Sequence, residues 1–502
     1  MRGTRYLLHN QGCQLAAVMM ASSAVSNDLP QGSRDVIPNE LRGLRVHLIG
    51  IGGCGMSGLA ALLLRRGARV SGSDMRSSAA LSRLEECGAR ISTQQDVPAM
   101  PADVDLVIAS AAIPENHPEF REARRCGAQV IKYAQMLGRV MSHFDGIAIS
   151  GTHGKSTTTA WLTYVLRQAG LDPNFVVGAD VGQLGGSSGV GDGCHFIAEA
   201  CEYDRSFLNL QPRRAGVLNI EEDHLDCYAD LSDIQNAFAT FVQSVRAGGL
   251  VVLNGDDDGC RVLPQTGLTA RVETFGFRDG VTWQATMLDR GQGCYAFDVV
   301  HDGEPLGRAK LGIPGRHNVG NALAVIALAH DCGVSWNSIC TGLAEFLGVR
   351  RRLELRGDVN GLRIIDDYAH HPTEIRATLH AARERYAPRR LWCVFQPHQH
   401  SRTRFLLADF ADSFSDADRV VVPDIYFVRD SQRDREAVCA EDLVERIRER
   451  GGAATYVPGL DTIVELLAGE AEPGDVVLTM GAGDIWKVAD GLVERLGRHL
   501  PG

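Results

Sequence analysis

The sequence predicts an α/β protein of three domains, and three stretches carry that prediction. Residues 146–159, Gly-Ile-Ala-Ile-Ser-Gly-Thr-His-Gly-Lys-Ser-Thr-Thr-Thr, read as a short β-branched strand, a tight glycine loop and the first turn of a helix. Upstream, Arg45-Val-His-Leu-Ile49 runs as a strand into Gly50-Ile-Gly-Gly-Cys-Gly55. Beyond Gly348, four apolar runs end in polar residues and lead into helical stretches. Strands alternating with helices make parallel sheets with helices on their faces. A length of 502 residues suits about three domains, each large enough for its own core.

Composition removes several classes. A formal net charge of -11 argues against a general nucleic-acid or membrane-surface role. Anionic ligands must then meet local clusters, and Arg350, Arg351, Arg352, Arg402 and Arg404 are the candidates. The 13 cysteines are scattered without a Cys-x-x-Cys pair, which suggests neither a zinc site nor a disulfide framework. They read as thiols of a reducing, cytoplasmic compartment. In residues 1–42, Arg2 and Arg5 precede an apolar run at 15–21 and the small Ser22, Ser23 and Ala24, a faint likeness to a secretory signal. That apolar run is short and interrupted, so the segment reads as a disordered extension or an upstream start assigned in error. No later run is long enough to span a membrane.

The first domain, 43–141, opens on the strand 45–49. Gly50, Gly52 and Gly55 satisfy Gly-x-Gly-x-x-Gly, a helix follows, and Asp74 closes the next strand where a ribose-binding acid is expected. Alone this says NAD, yet the same turn cradles any pyrophosphate. The strand at 106–110 leads into a second loop, Ala111-Ala-Ile-Pro-Glu-Asn-His-Pro118, at the carboxyl end of the sheet.

The second domain, 142–346, holds the phosphate loop. Backbone N–H groups at a helix N-terminus attract an anion, glycines let the backbone close in, a lysine reaches the phosphates and a hydroxyl ligates Mg²⁺. Gly151, Thr152, His153, Gly154, Lys155, Ser156 and Thr157 supply those parts. Residues 182–193, rich in glycine and serine, read as a mobile surface loop. The strand from His195 ends in Glu199, a carboxylate where a Mg²⁺ ligand belongs. The strand 215–220 delivers Glu221, Glu222, Asp223 and His224, a histidine with either a hydrogen-bonding or a metal role. Gly315-Arg-His-Asn-Val-Gly-Asn321 starts a helix with Asn318 and Asn321 on one face, suited to an adenine edge or to capping.

The third domain, 347–502, repeats strand and helix. Its strand at 362–367 ends in Asp366 and Asp367, followed by Tyr368-Ala-His-His-Pro-Thr-Glu374. The strand at 391–395 ends in Gln396-Pro-His-Gln-His-Ser-Arg-Thr-Arg404, that at 419–423 in Asp424, and that at 476–480 in Gly481-Ala-Gly-Asp484. Polar residues gathered at strand carboxyl ends read as a site.

Together, Gly-Thr-His-Gly-Lys-Ser, Asn219-Ile-Glu-Glu-Asp-His-Leu-Asp226, Gly315-Arg-His-Asn-Val-Gly-Asn321, Asp366-Asp-Tyr-Ala-His-His-Pro-Thr-Glu374 and Gln396-Pro-His resemble the Mur ligase family. The likeness runs in order over about 44–496. It implies a Rossmann-like N-terminal domain binding a UDP-sugar, a central P-loop ATPase domain and a C-terminal Rossmann-like domain bringing an amino acid. It also implies a reaction of peptidoglycan synthesis, with ATP and Mg²⁺. ATP phosphorylates the lactyl carboxylate of UDP-N-acetylmuramate, L-alanine attacks the acyl phosphate, and ADP and phosphate leave. A monomer or homodimer is expected.

Residue by residue, the resemblance makes Lys155 the contact to the β- and γ-phosphates. Ser156 and Glu199 become ligands of one Mg²⁺, and His224 a ligand of a second. Asn318 and Asn321 would hold adenine, and Arg352 and Asp367 would close over ATP. His371, His398 and Arg402 would line the place where the amino acid meets the acyl phosphate. Gly52, Gly53, Gly55, Met56, Ser57, Asp74, Ser110 and Asn116 would take the UDP-sugar. These roles suit the chemistry: carboxylate attack on ATP brings anions together, so cations must neutralise them. The attacking amine must be neutral, and His371, His398 and Asp367 are equal candidates for its base.

Two departures stand out. Alanine-adding members usually read Glu-Ala-Asp-Glu-Ser-Asp where this chain has Glu199-Ala-Cys-Glu-Tyr-Asp204. Gln399 replaces an arginine common beside His398, and a neighbour such as Arg402 would have to supply the lost charge. No lysine occurs between Lys155 and Lys310, so a carbamylated lysine, which resembles what sister ligases use for the second Mg²⁺, is not available there. Competing readings are a ligase with another acceptor (murein tripeptide, glycine or serine), an NAD-dependent oxidoreductase, and a non-catalytic nucleotide-binding protein. The oxidoreductase leaves the phosphate loop unexplained. The presence together of Lys155, Glu199, His224 and Arg352 speaks against a scaffold.

Overall fold

The computed structural model describes residues 41–497 except 94–99, 111–112, 115, 225–226, 264–265 and 429. Residues 1–40 of the expected extension, and parts of the 111–118 and 223–228 stretches, lie outside the described residues.

Strands β1 (Arg45–Ile49), β2 (Arg69–Ser73), β3 (Arg90–Ser92), β4 (Leu106–Ala109) and β5 (Gln129–Lys132) form a parallel sheet in the order β3-β2-β1-β4-β5. Val46, Leu48 and Ile49 are wholly buried, as expected of a central parallel strand covered on both faces. The order in which strands are added reverses between β1 and β4. Ligands of open α/β sheets sit in the crevice such a reversal opens, and the loop 50–55 stands at its mouth.

The second sheet holds β6 (Asp145–Ser150), β7 (Asn174–Val176), β8 (Ser188–Gly189), β9 (His195–Glu199), β10 (Arg214–Val217), β11 (Leu250–Asn254), β12 (Arg271–Gly276), β13 (Trp283–Asp289), β14 (Cys294–His301) and β15 (Glu304–Pro314). Its order is β15-β14-β13-β12-β11-β10-β6-β9-β7-β8, which puts β6 between β10 and β9. The helices Lys155–Gln168 and His317–Asp331 pack together and are buried almost all round, so they form the centre of the core instead of a one-sided cover. Trp161 stacks on Phe346 with ring centroids 5.3 Å apart.

The third sheet comprises β16 (Glu354–Val359), β17 (Leu362–Asp367), β18 (Leu391–Phe395), β19 (Arg419–Val422), β20 (Ala454–Tyr456) and β21 (Val476–Met480), in the order β16-β17-β21-β18-β19-β20. All pairs are parallel except the edge strand β16, which runs antiparallel to β17.

Three features depart from the reading of the sequence. Residues 182–193 are not simply a surface loop. They contain a 3-10 turn and β8, which pairs with β7 and packs so closely on the first domain that a Cβ on Gly58 would lie 2.4 Å from Ser188 Cβ. Polar, glycine-rich composition hides this because the pairing uses backbone and small side chains. Second, β13, β14 and β15 add an antiparallel extension, and Asp302-Gly303, both at left-handed φ, is the local hairpin turn that joins β14 to β15. Third, β16 and the three-residue β20 widen the last sheet beyond the four strands expected.

Candidate active site

The site is built on the exit of β6. Gly151 (φ +139°) and Gly154 (φ +81°) adopt left-handed backbone angles, and a Cβ on Gly154 would lie 2.8 Å from Asn321 Oδ1. The turn is therefore tight because Asn321 packs against it. Asn219, just past β10, clamps the same loop: its Oδ1 accepts from His153 N at 2.7 Å and its Nδ2 donates to His153 O at 3.2 Å. No side chain caps the helix Lys155–Gln168, which leaves its first N–H groups directed at whatever anion the loop receives.

Lys155 Nζ donates to Gly151 O (2.5 Å), Thr152 O (2.9 Å) and Glu202 Oε1 (2.9 Å). Burial works against its charge, but the Glu202 carboxylate overrides that and raises its pKa. Glu202, 3% exposed, stays ionised below the usual carboxylate range because Lys155 and His224 offset its burial. Glu202 stands three residues after Glu199 in the sequence, a position that carries no signal of pairing with Lys155.

Two cavities meet at the loop. One, of about 650 Å³, is lined by Gly154, Asn254, Phe275, Phe277, His317, Asn318, Asn321, Arg352 and Asp367. It brings Asn318, Asn321, Arg352 and Asp367 to one cavity. Asn321 Nδ2 donates to Asn318 Oδ1 at 2.9 Å, and Asn318 Nδ2 to Pro314 O at 2.6 Å. The other, of about 700 Å³, is lined by Cys54, Lys155, Ser156, Glu199, Glu202, His224, Arg352, His398 and Arg402. It gathers residues from all three sheets' loops. Gly154, Arg352 and Glu374 line both cavities.

A hard dication needs oxygen donors, and the Ser156 hydroxyl, the Glu199 carboxylate and the His224 imidazole line the second cavity. Glu199 accepts Gly178 N–H at 2.7 Å, which aims the carboxylate. His224 adopts φ +55°, and its Nε2 lies 3.5 Å from Glu202 Oε1 and 3.7 Å from Asp223 Oδ2. This donor set fits Mg²⁺.

The third domain enters through a bent hinge. Arg351 (φ +59°) and Leu353 (φ +48°) hold uncommon left-handed angles on either side of Arg352. Arg351 pins the bend through Asp366 Oδ2 (2.8 Å) and Gly481 O (2.8 Å). Asp367 accepts Leu353 N–H and Ala369 N–H, both at 2.7 Å. Burial pushes its pKa up to about 6, against the pull of Arg352. Both of its oxygens are thus engaged, and it faces the nucleotide cavity.

Arg402 crosses the domain boundary, donating from Nη2 to Asp223 Oδ1 at 2.8 Å. Both side chains are 8% exposed, and Arg402 holds the Asp223 carboxyl far below its usual range despite burial. Arg402 Nη1 lies 3.4 Å from His398 Nδ1, and the His398 ring stacks on Tyr426. A third cavity of about 310 Å³ continues past Asp223, His224 and Arg402 to Gln399, Ser401, Arg404 and Asp430.

His371 does not line the cavity that His398 and Arg402 share. Its Nδ1 accepts Thr373 N–H at 3.3 Å as the N-cap of the helix Pro372–Tyr386, which turns the ring toward His153 (centroids 4.7 Å apart) and away from the larger cavity. Glu374, in the first turn of that helix, meets His153 Nδ1 and Arg352 Nη1, each at 3.4 Å. In the sequence it reads as an ordinary acidic residue favouring a helix start.

In the first domain, Asp74 Oδ2 accepts Gly52 N–H at 2.8 Å and holds the glycine turn. Gly55 packs on Tyr133, whose hydroxyl would lie 2.6 Å from a Cβ there. Met56 and Ser57 are buried, so of the expected UDP-sugar ligands these two side chains face inward. Gly53 lies between Gly50 and Met56, Ser110 is half-buried, and Asn116 is exposed before the helix Pro118–Arg125. Cys54, at the helix start, is the residue by which this loop reaches the Lys155 cavity.

Against known proteins, the chain matches the family models described as Mur ligase family, catalytic domain (residues 45–145), Mur ligase middle domain (149–329) and Mur ligase, glutamate ligase domain (351–483). A protein of Acetivibrio thermocellus named UDP-N-acetylmuramate–L-alanine ligase is 42% identical over 456 residues, covering 90% of this chain and 96% of the relative. One of the same name from Clostridium novyi is 43% identical over 451 residues, covering 90% and 97%. Among solved structures, a UDP-N-acetylmuramate-alanine ligase from Thermotoga maritima aligns with TM-score 0.76 at 28% identity, covering 91% of this chain and 99% of its own. A murein peptide ligase from Psychrobacter arcticus aligns with TM-score 0.67 at 26% identity, covering 92% and 100%.

Proposed function

This chain belongs to the Mur ligase family, and from that premise we propose that it joins L-alanine to the lactyl carboxylate of UDP-N-acetylmuramate. ATP drives the step through an acyl phosphate, in peptidoglycan precursor synthesis. The observation that carries this reading is one cavity shared by Lys155 and Ser156, the Cys54 loop, and His398 with Arg402. Three substrates must meet, and three domains supply that wall. We read residues 43–141, 142–346 and 347–502 as the working domains, acting in the cytoplasm where ATP and sugar nucleotide are found. No described helix is long and apolar enough to cross a membrane.

ATP lies with its base and ribose along Asn318, Asn321, His317 and Phe277, and its phosphates over Gly154 at the helix N-terminus. Arg352 stands where the cavities meet and faces the phosphates, with Lys155 beyond. Ser156, Glu199 and His224 would hold Mg²⁺, which supplies neutralising charge to the phosphoryl group in transfer. The sugar carboxylate then approaches from the Cys54 side and attacks phosphorus, and the phosphate-loop donors stabilise the charge that develops. The alanine amine reaches the acyl carbon from the third domain. Of the candidate bases, His398 lines this cavity, whereas Asp367 faces the other and His371 neither. We therefore assign the amine's proton to His398, with Arg402 orienting its ring.

Phosphate release with Mg²⁺-ATP and UDP-N-acetylmuramate, adding L-alanine, glycine, L-serine and murein tripeptide in turn, tests the reading. Release with L-alanine that requires the sugar nucleotide is expected. Release confined to another acceptor would overturn the substrate, and none with any acceptor in folded protein would overturn the ligase.

A further inference from the structure

Among the described residues, His153, Glu221 and His371 present one donor atom each within 4.8 Å of one another. We propose that these three side chains form a transition-metal site that bridges the central and third domains. It is distinct from the Mg²⁺ site at Ser156, Glu199 and His224, and it does not depend on the ligase reading.

The geometry suits a tetrahedral ion. His153 Nε2 lies 3.6 Å and His371 Nδ1 3.7 Å from the same Glu221 oxygen, Oε2. Zn²⁺ at about 2.0–2.2 Å from its donors, at tetrahedral angles, holds neighbouring donors roughly 3.4 Å apart. Closing that small gap needs only side-chain adjustment. Two histidines and one carboxylate, with one position left open, is a ligand set of catalytic zinc proteins. Mg²⁺, which prefers an oxygen-rich octahedron, suits it poorly, and soft-to-borderline ions suit it well.

The outer groups are also in place. Metal-bound histidines usually donate their second ring N–H to a carboxylate, which fixes the ring and makes it a stronger ligand. His153 Nδ1 faces Glu374 Oε1 at 3.4 Å in this way. Glu221 Oε2 accepts from Thr373 Oγ1 at 2.6 Å, which orients the carboxylate. His153 Nε2 is buried without a hydrogen bond and faces Glu221 Oε2, so a metal there displaces only a proton from the ring. The hydrogen bond a metal must replace is the 3.3 Å cap bond from Thr373 N to His371 Nδ1. Because His153 and Glu221 stand in loops leaving the central sheet and His371 caps a helix of the third domain, a bound ion would staple the two domains.

The test uses Co²⁺ on the full chain in excess Mg²⁺, read by visible absorption and by equilibrium dialysis, so it needs no ligase activity. One equivalent of tetrahedral Co²⁺, displaced by Zn²⁺ and not by Mg²⁺, is expected. His371→Ala should abolish the tetrahedral band. Glu374→Gln, which keeps all three ligands, should weaken Co²⁺ binding about 10–100-fold. Absence of a tetrahedral band, or a band unchanged in folded His371→Ala or Glu374→Gln, overturns the proposal. If His371→Ala does not fold, Glu374→Gln decides.

Discussion

Lys155 keeps its charge in a nearly closed site because Glu202 sits 2.9 Å away, and two backbone carbonyls fix the direction of its ammonium group. Its value to the reaction is electrostatic, since preorganised charge aimed at a developing anion is usually the largest catalytic term. Lys155→Ala should lower the phosphate-release rate by about a hundredfold to a thousandfold or more. Calorimetry should show UDP-sugar affinity largely unchanged; near-wild-type turnover would remove Lys155 from the phosphate contact. The residue itself was legible, because Gly-Lys-Ser after a β-branched strand is a local pattern. Its partner was not. Glu202 and Glu374 acquire roles only through contacts made across the fold, and an isolated glutamate carries no mark of the cation it will meet.

At the scale of elements, close approach and charge decide how pieces join. The helix Tyr133–Met141 lies against the turn Tyr203–Asn209 with Gly138 at the contact, where a Cβ would stand 2.0 Å from Asn209 O. Gly138→Ala should therefore cost about 1–3 kcal/mol by overpacking, despite alanine's better helix propensity. Gly320→Ala, with nothing within 4 Å, should be neutral or mildly stabilising. Thermal unfolding of the two variants checks the contrast, and equal shifts would show that the contact is not tight. In the last sheet Asp475, just before β21, accepts from Arg389, Arg390 and Trp392 while fully buried. Burial alone would raise its pKa, but the Arg390 hydrogen bond leads the groups that hold it down at about 2. A depressed carboxyl stabilises the fold above its unfolded value, about 3.9, and loses that contribution as pH falls through about 2. Asp475→Asn should cost roughly 2–3 kcal/mol at pH 7 in urea unfolding. That difference should shrink toward pH 3 and close near pH 2; a pH-independent difference would contradict the pairing.

For the whole molecule, the Arg402–Asp223 pair is the most buried of several charge links that tie the third domain over the central one, Arg350–Asp180 and Arg290–Glu384 among them. Both partners are buried, so truncating one leaves the other unpaired, at about 3–5 kcal/mol. Arg402→Ala should lower both turnover and the population of the closed arrangement. Small-angle scattering should show a larger radius than wild type, and an unchanged radius would mean the domains are held by other contacts. The same scale explains why the base for the amine was open before the structure. Asp367 ends a sheet strand and His371 and His398 follow strands of the same domain, and only the docking of that domain on the phosphate loop shows which of them lines the larger cavity.

The sequence by itself determined the three-domain α/β order, the phosphate loop, the glycine turn and the family, because these rest on local period, turn chemistry and strand-to-helix spacing. Most strands of the three sheets follow from the same short-range rules. Only the tertiary structure decided the pairing of 188–189, the Lys155–Glu202 contact, and the grouping of His153, Glu221 and His371. The physical reason is common to all three. Each joins groups that are not neighbours in the chain, and neither periodicity nor composition encodes which partner a buried charge or bare backbone edge will find.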